Sequence, residues 1–321
     1  MNLLIDGEGR DMEVTSVADW EGRREGVLVA MQEVMGILPG EEKRCALEVE
    51  VGEEVDCGGY VRQLVSYAAE PGGRVPAYLL VPKGEGPFPG VLCPHPTDNV
   101  AGHKVVVGLS EKSHRSYASE LAERGFVALA PAYPLLADYQ PDWGALGYQS
   151  ATMKAIWDNA RGLDLLDGMD CVAGVGYGAI GHSLGGHNSI YTAVFDARIQ
   201  VVVSCCGFDS YRDYMDGDIS GWASQRYMPR LLDYALEEIP FDFHDMIAAL
   251  APRPFLAVAP LGDANFKWES VDRIAVAARR VYAAYGAAEE LMVEHPDCGH
   301  DFPDALRERA YRLLERYLKA G

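Results

Sequence analysis

The stretch Gly181-His182-Ser183-Leu184-Gly185 sets a serine between two small residues, a G-x-S-x-G pattern that could supply a nucleophile. A serine hydroxyl attacks poorly near neutral pH unless a base lies within hydrogen-bond reach and a third group fixes that base. The apolar run from Val172 to Ile180 is too short for a helix, and Leu184, Ile190, Tyr191 and Val194 recur at helical spacing after the serine. Strand, sharp turn and helix are therefore expected. Such a turn would hold the Ser183 hydroxyl in strained backbone geometry at a helix N-terminus, where unpaired N–H groups favour negative charge. A glycine-rich turn with a spectator serine is the plain alternative, and partners elsewhere in the chain must decide.

Two candidate partners follow in the order acid, then histidine. After the apolar strand pattern Phe255 to Ala259 comes Pro260-Leu261-Gly262-Asp263, a carboxylate on a loop leaving a strand. After Leu291 to Glu294, the loop His295-Pro296-Asp297-Cys298-Gly299-His300-Asp301-Phe302 presents His300 before the last helix pattern. His300 is expected as general base and Asp263 as the group that orients it. Asp297 and Asp301 are rival carboxylates, more readily explained as loop braces or solvated groups. A tetrahedral intermediate also needs two fixed donors for its oxygen. The Leu184 amide is one. The Thr97 amide, the first available after Pro96 in the loop Pro94-His95-Pro96-Thr97, is expected as the other, the alternative being that this loop is only a proline-stiffened turn. No metal-ligand spacing such as H-E-x-x-H occurs, and neither a metal nor another cofactor is expected.

These residues need a scaffold. Val17 to Leu38 carries Trp20, Val27, Met31, Val34, Met35 and Leu38 at helical spacing, so residues 1–45 read as an N-terminal helical extension. The period changes to two over Ala46–Val51, Tyr60–Tyr67 and Val75–Val81, an antiparallel entry to a sheet. Strands then alternate with helices: Phe88–Cys93, Ser113–Arg124, Phe126–Ala130, Thr152–Leu166, the serine turn, Ile199–Val203, Phe255–Ala259, Trp268–Tyr285, Leu291–His295 and Pro303–Leu318. The expected fold is α/β, a mainly parallel central sheet with helices on both faces and function at the carboxyl ends of its strands. Residues 207–250 break the rhythm with no clean strand and with aromatics including Phe208, Trp222 and Tyr227. They read as a small cap insertion in a single domain spanning 1–321, equally well as an excursion whose aromatics pack on themselves. Phe208, Trp222, Tyr227 and His95 are the candidate substrate contacts.

Composition excludes several function classes. A formal charge of −20 gives no basic face for nucleic acid or an anionic membrane. No apolar run of about eighteen residues exists, and Met1 to Glu8 lacks the basic and apolar regions of a leader. The seven cysteines, Cys45, Cys57, Cys93, Cys171, Cys205, Cys206 and Cys298, are scattered without C-x-x-C spacing. Buried thiols in a reducing, cytoplasmic compartment are expected.

With P-A-Y-L-L-V-P, P-G-V-L-C-P-H-P-T, G-H-S-L-G-G-H, A-P-R-P-F and P-D-C-G-H-D-F-P in place, the chain resembles the α/β-hydrolase superfamily from about Tyr60 onward. Within it the chain is similar to bacterial esterases grouped with dienelactone hydrolases and acetyl xylan esterases. The resemblance implies the α/β-hydrolase fold, Ser183 as nucleophile, Asp263 as acid, His300 as base, and an oxyanion hole from the Leu184 and Thr97 amides. Two departures stand out: a dienelactone hydrolase would carry cysteine where Ser183 stands, and Pro96 replaces the usual Gly or Gln. The expected activity is a serine carboxylesterase acting on small-molecule esters with short acyl groups, acetylated sugars among them. A peptidase or thioester hydrolase on the same scaffold and a non-catalytic ligand-binding protein are the alternatives.

Overall fold

The computed structural model describes residues 4–5, 11–12 and 14–319. Apart from Leu4 and Ile5, the opening segment Met1 to Glu8, expected to carry no leader, lies outside them. Strands β1 (Leu4–Ile5) and β2 (Asp11–Met12) pair antiparallel ahead of helix α1 (Val17–Met35). The Ser16 side chain accepts from the Asp19 amide and the Asp19 carboxylate accepts from the Ser16 amide, a reciprocal cap that fixes where α1 begins. Trp20, Val27, Met31, Val34 and Met35 form its buried stripe. The helix ends short of the expected Leu38. Gly36 takes a φ of 95°, and the Gln32 side chain accepts from the Leu38 amide to turn the chain.

Strands β3 (Glu50–Asp56), β4 (Tyr60–Glu70) and β5 (Gly73–Pro82) form the antiparallel entry. The first of them was expected over Ala46–Val51; instead Glu48 adopts a left-handed φ of 43°, which interrupts the extended run, and pairing begins at Glu50. There follow β6 (Phe88–Leu92), α2 (Tyr117–Glu123), β7 (Val127–Pro131), α3 (Ala151–Asp167), β8 (Val172–His182), α4 (Leu184–Phe195), β9 (Ile199–Cys205), α5 (Phe243–Ala248), β10 (Phe255–Val258), α6 (Trp268–Ala284), β11 (Leu291–Glu294) and α7 (Asp304–Leu318). The sheet runs β11-β10-β9-β8-β6-β7-β5-β4-β3, parallel from β11 through β7 and antiparallel beyond. One apolar core packs α1 and α3 to α6 on one face; a second packs α2 and α7 on the other. Between β9 and β10 the described residues form no strand, only short 3-10 turns and α5.

Beneath the sheet's antiparallel half lies a buried charge cluster. Lys154 is fully buried on α3, with its ammonium 3.0 Å from Glu70 and hydrogen-bonded to Asp158 one turn on. Tyr148 donates to Glu70 and Tyr139 donates to Asp158. One cation thus serves two buried carboxylates. Burial first, and the Glu70 charge, outweigh Lys154 and hold Asp158 up at about 6. The folded state therefore takes a proton here more readily than the unfolded chain, and this group's contribution to stability grows as pH falls from about 6 toward about 4. Lys154→Met leaves both carboxylates uncompensated and lowers unfolding free energy at neutral pH by about 3–5 kcal/mol, read by urea denaturation; a loss within experimental error would contradict the pairing.

Among the described residues no helix is long and apolar enough to cross a membrane.

Candidate active site

Ser183 is the single residue between β8 and α4, with φ 55° and ψ −121°. A non-glycine residue held there stores backbone strain, which its neighbours must enforce. They do so by closeness. A Cβ on Gly181 would come 2.1 Å from the Gly185 carbonyl, and one on Gly185 would come 2.1 Å from the Pro94 oxygen. The Ser183 amide donates to Cys205 O at 2.8 Å, tying the turn to β9, while its carbonyl accepts from Gly186 N at 2.8 Å. Leu184 opens α4, so its N–H has no acceptor within the helix.

Asp263 and His300 come from loops that are laced together. Leu261 N donates to Pro296 O and Gly262 N to Cys298 O, both at 3.0 Å, which carries the loop after β10 alongside the loop after β11. The His300 Nδ1 lies 2.9 Å from each oxygen of the Asp263 carboxylate. The Asp263 side chain is 1% exposed and that of His300 21%, so the imidazole is the partner that reaches outward. The amides of Asn265 and Phe266 also donate to Asp263 Oδ1, at 2.8 and 3.3 Å. Burial alone would raise this carboxyl, but the His300 hydrogen bond and charge, with the two amides, outweigh it and hold Asp263 below its usual range. The rivals are otherwise engaged: Asp297 is exposed, and Asp301 pairs with His114 at 3.0 Å and accepts from the Phe302 amide.

A cavity of about 140 Å³ contains Ser183 in its wall. Thr97 and Leu184 line it beside the serine; His187, Tyr214, Trp222, Tyr227, Asn265 and Phe266 complete it. The His300 ring packs 6.0 Å from that of Phe266 and edge-on, 4.8 Å, to that of His182. Trp222 and Tyr227 therefore reach the cavity from the 207–250 segment, and the Tyr227 hydroxyl lies 3.2 Å from Thr97 Oγ1. A larger cavity of about 410 Å³, walled by Arg23 of α1 and by Tyr211, Asp242 and His244, shares no residue with it.

Two expected substrate contacts are corrected. His95 is 1% exposed: its Nδ1 is 2.8 Å from Pro96 O and its Nε2 accepts from Tyr133 N at 2.9 Å. Burial lowers it to about 4, so the ring is neutral, donates through Nδ1, and braces the Pro94–Thr97 loop from behind. Phe208 stacks on Phe243 at 5.0 Å and is buried in the core. Four cavity residues escaped the sequence reading: His187, Tyr214, Asn265 and Phe266. His187 had a signal, since a residue one helical turn after Ser183 shares its face. Asn265 and Phe266 trail Asp263 closely. Two sets of side chains sharing Cys206 bring atoms able to ligate a metal within 4.8 Å of one another, Cys206–Asp263–His300 and His182–Cys205–Cys206.

A glucuronoyl esterase from Solibacter usitatus superposes with a TM-score of 0.78 at 19% identity, covering 98% of this chain and 97% of its own. Acetyl Xylan Esterase 1 from Thermoanaerobacterium sp. JW/SL YS485 superposes with a TM-score of 0.61 at 18% identity, over 92% and 93%. The chain has the α/β-hydrolase fold. In sequence, this α/β-hydrolase-fold chain is 27% identical over 257 residues to "Putative hydrolase YtaP" of Bacillus subtilis (strain 168), covering 76% of this chain and 84% of that protein. No protein-family model matches it.

Proposed function

We propose that this α/β-hydrolase-fold chain is a serine carboxylesterase that cleaves small esters with short acyl groups, acetylated sugars among them. The observation that carries the reading is the strained Ser183 in the wall of a small cavity, with a buried carboxylate–imidazole pair on the adjoining loops. His300 takes the Ser183 proton as the oxygen attacks the ester carbonyl, and Asp263 holds the Nδ1–H tautomer and balances the imidazolium that forms. The Leu184 and Thr97 amides receive the charge that develops on the carbonyl oxygen. The imidazolium returns its proton to the departing alkoxide, and water activated by the same ring clears the acyl-enzyme.

Cavity size supports short acyl groups, because about 140 Å³ walled by Trp222, Tyr227, Tyr214 and Phe266 leaves little depth for a chain. Two of its residues hold a buried polar atom with no hydrogen bond, His187 Nε2 and Trp222 Nε1. Seven unpaired cysteines support a reducing, cytoplasmic setting.

A p-nitrophenyl ester series from acetate to laurate is expected to favour the short end, with a phosphonate probe leaving its mass on Ser183. Preference for laurate would overturn the acyl assignment, and absence of the adduct would overturn the nucleophile.

A further inference from the structure

Cys205 and Cys206 are consecutive, and in a continuing strand their side chains would point to opposite faces. They do not. Cys206, directly after β9, adopts a φ of 48°, a left-handed conformation uncommon for a side-chain-bearing residue. The two sulfurs consequently lie 3.6 Å apart, and both thiols donate to the Asp301 carbonyl at 3.4 Å. A tetrahedral ion with metal–sulfur bonds of about 2.3 Å needs its sulfurs about 3.8 Å apart. The pair already stands near chelating distance.

The sheet register supplies a third donor. His182 ends β8 directly beside Cys205 of β9, and the ligating atoms of His182, Cys205 and Cys206 all lie within 4.8 Å of one another. His182 is fully buried, and neither ring nitrogen makes a hydrogen bond within 3.5 Å, although the His300 backbone exerts a weaker hydrogen-bond pull on the ring. Leaving such a group unsatisfied costs about 1–3 kcal/mol, so its retention calls for a partner. A neutral imidazole offers one nitrogen lone pair to a metal.

We propose that His182, Cys205 and Cys206 form a binding site for a thiophilic dication, Zn²⁺ or Cd²⁺, and that filling it switches off the esterase reaction, a consequence that rests on the function proposed above. On binding, both thiols release their protons to solvent, and a dication with two thiolates and one neutral imidazole carries no net charge. That neutrality suits a buried site. Inhibition follows from position. Cys206 also lies within the same 4.8 Å set as Asp263 and His300, so an ion on its sulfur brings a second positive charge near the carboxylate that must balance the His300 imidazolium. Drawing Asp263 toward a dication removes that balance.

The reduced, metal-free chain is titrated with Cd²⁺ alone. One equivalent is expected to raise the ultraviolet thiolate-to-cadmium band while p-nitrophenyl acetate turnover falls about 100-fold, and a chelator restores it. Cys205→Ser should lose both responses yet keep its uninhibited turnover, which shows that it folds. Ser183→Ala should keep the band, so metal binding is read independently of any esterase activity. Absence of the band at one equivalent, or its persistence in both Cys205→Ser and Cys206→Ser, would place cadmium on other cysteines and overturn the site. A full band with undiminished turnover would overturn the switch.

Discussion

With Ser183 as the proposed nucleophile, exchanging it for alanine is expected to lower kcat for a short activated ester by about 10⁶ while leaving KM nearly unchanged. The size of the effect follows from there being no other hydroxyl at the turn: Ser183 alone occupies the junction of β8 and α4. Alanine has the same difficulty as serine at a φ of 55°, and the closeness of Gly181 and Gly185 that enforces it is untouched. The fold and the cavity are therefore expected to persist, and what disappears is the proposed covalent step. Stopped-assay turnover at saturating p-nitrophenyl acetate measures it. A variant that kept most of the activity would remove Ser183 from the reaction.

Asp263→Asn is expected to cost about 10⁴ in kcat, because it reverses the hydrogen bond that fixes the imidazole. In the parent, Asp263 Oδ1 accepts from the amides of Asn265 and Phe266, and both oxygens face His300 Nδ1. With asparagine, the oxygen stays with the two amide donors, which admit only an acceptor. The new NH₂ group then faces Nδ1 and makes it an acceptor. The ring proton moves to Nε2, the nitrogen that receives the serine proton in the proposed mechanism. Asparagine also removes the charge that balances the imidazolium. A loss of less than about tenfold would show that Asp263 does not govern the tautomer.

The parts of this arrangement that were legible in the sequence are those fixed by local sterics. Gly181 and Gly185 announce a turn that tolerates no Cβ, and Asp263 and His300 fall on loops after apolar strand runs, where the topology brings them into contact. What stayed hidden depends on which way a side chain turns within a loop. The loop position of His95 gave no hint that both its nitrogens are used by Pro96 and Tyr133, nor did that of Phe208 show that it stacks inward on Phe243. Tyr214 and Phe266 reach the cavity from segments without a period, so no pattern selects them from their aromatic neighbours. The start of β3 failed for a backbone reason: alternation continues through Ala46 to Val49, but Glu48 leaves the extended region.

Strand β3 carries Glu50, Glu53, Glu54 and Asp56 along an exposed margin of the sheet. Arg74 and Lys83 reach back to Glu50 and Asp56, leaving the middle of the strand acidic. Its register also shifts between Val51 and Glu53, so its outward hydrogen-bonding row is uneven. Two molecules meeting margin to margin would set like charges opposite one another across a ladder that cannot run straight. The open side of the sheet thus discourages intermolecular strand addition, and the chain can display unpaired backbone there without inviting fibrous growth.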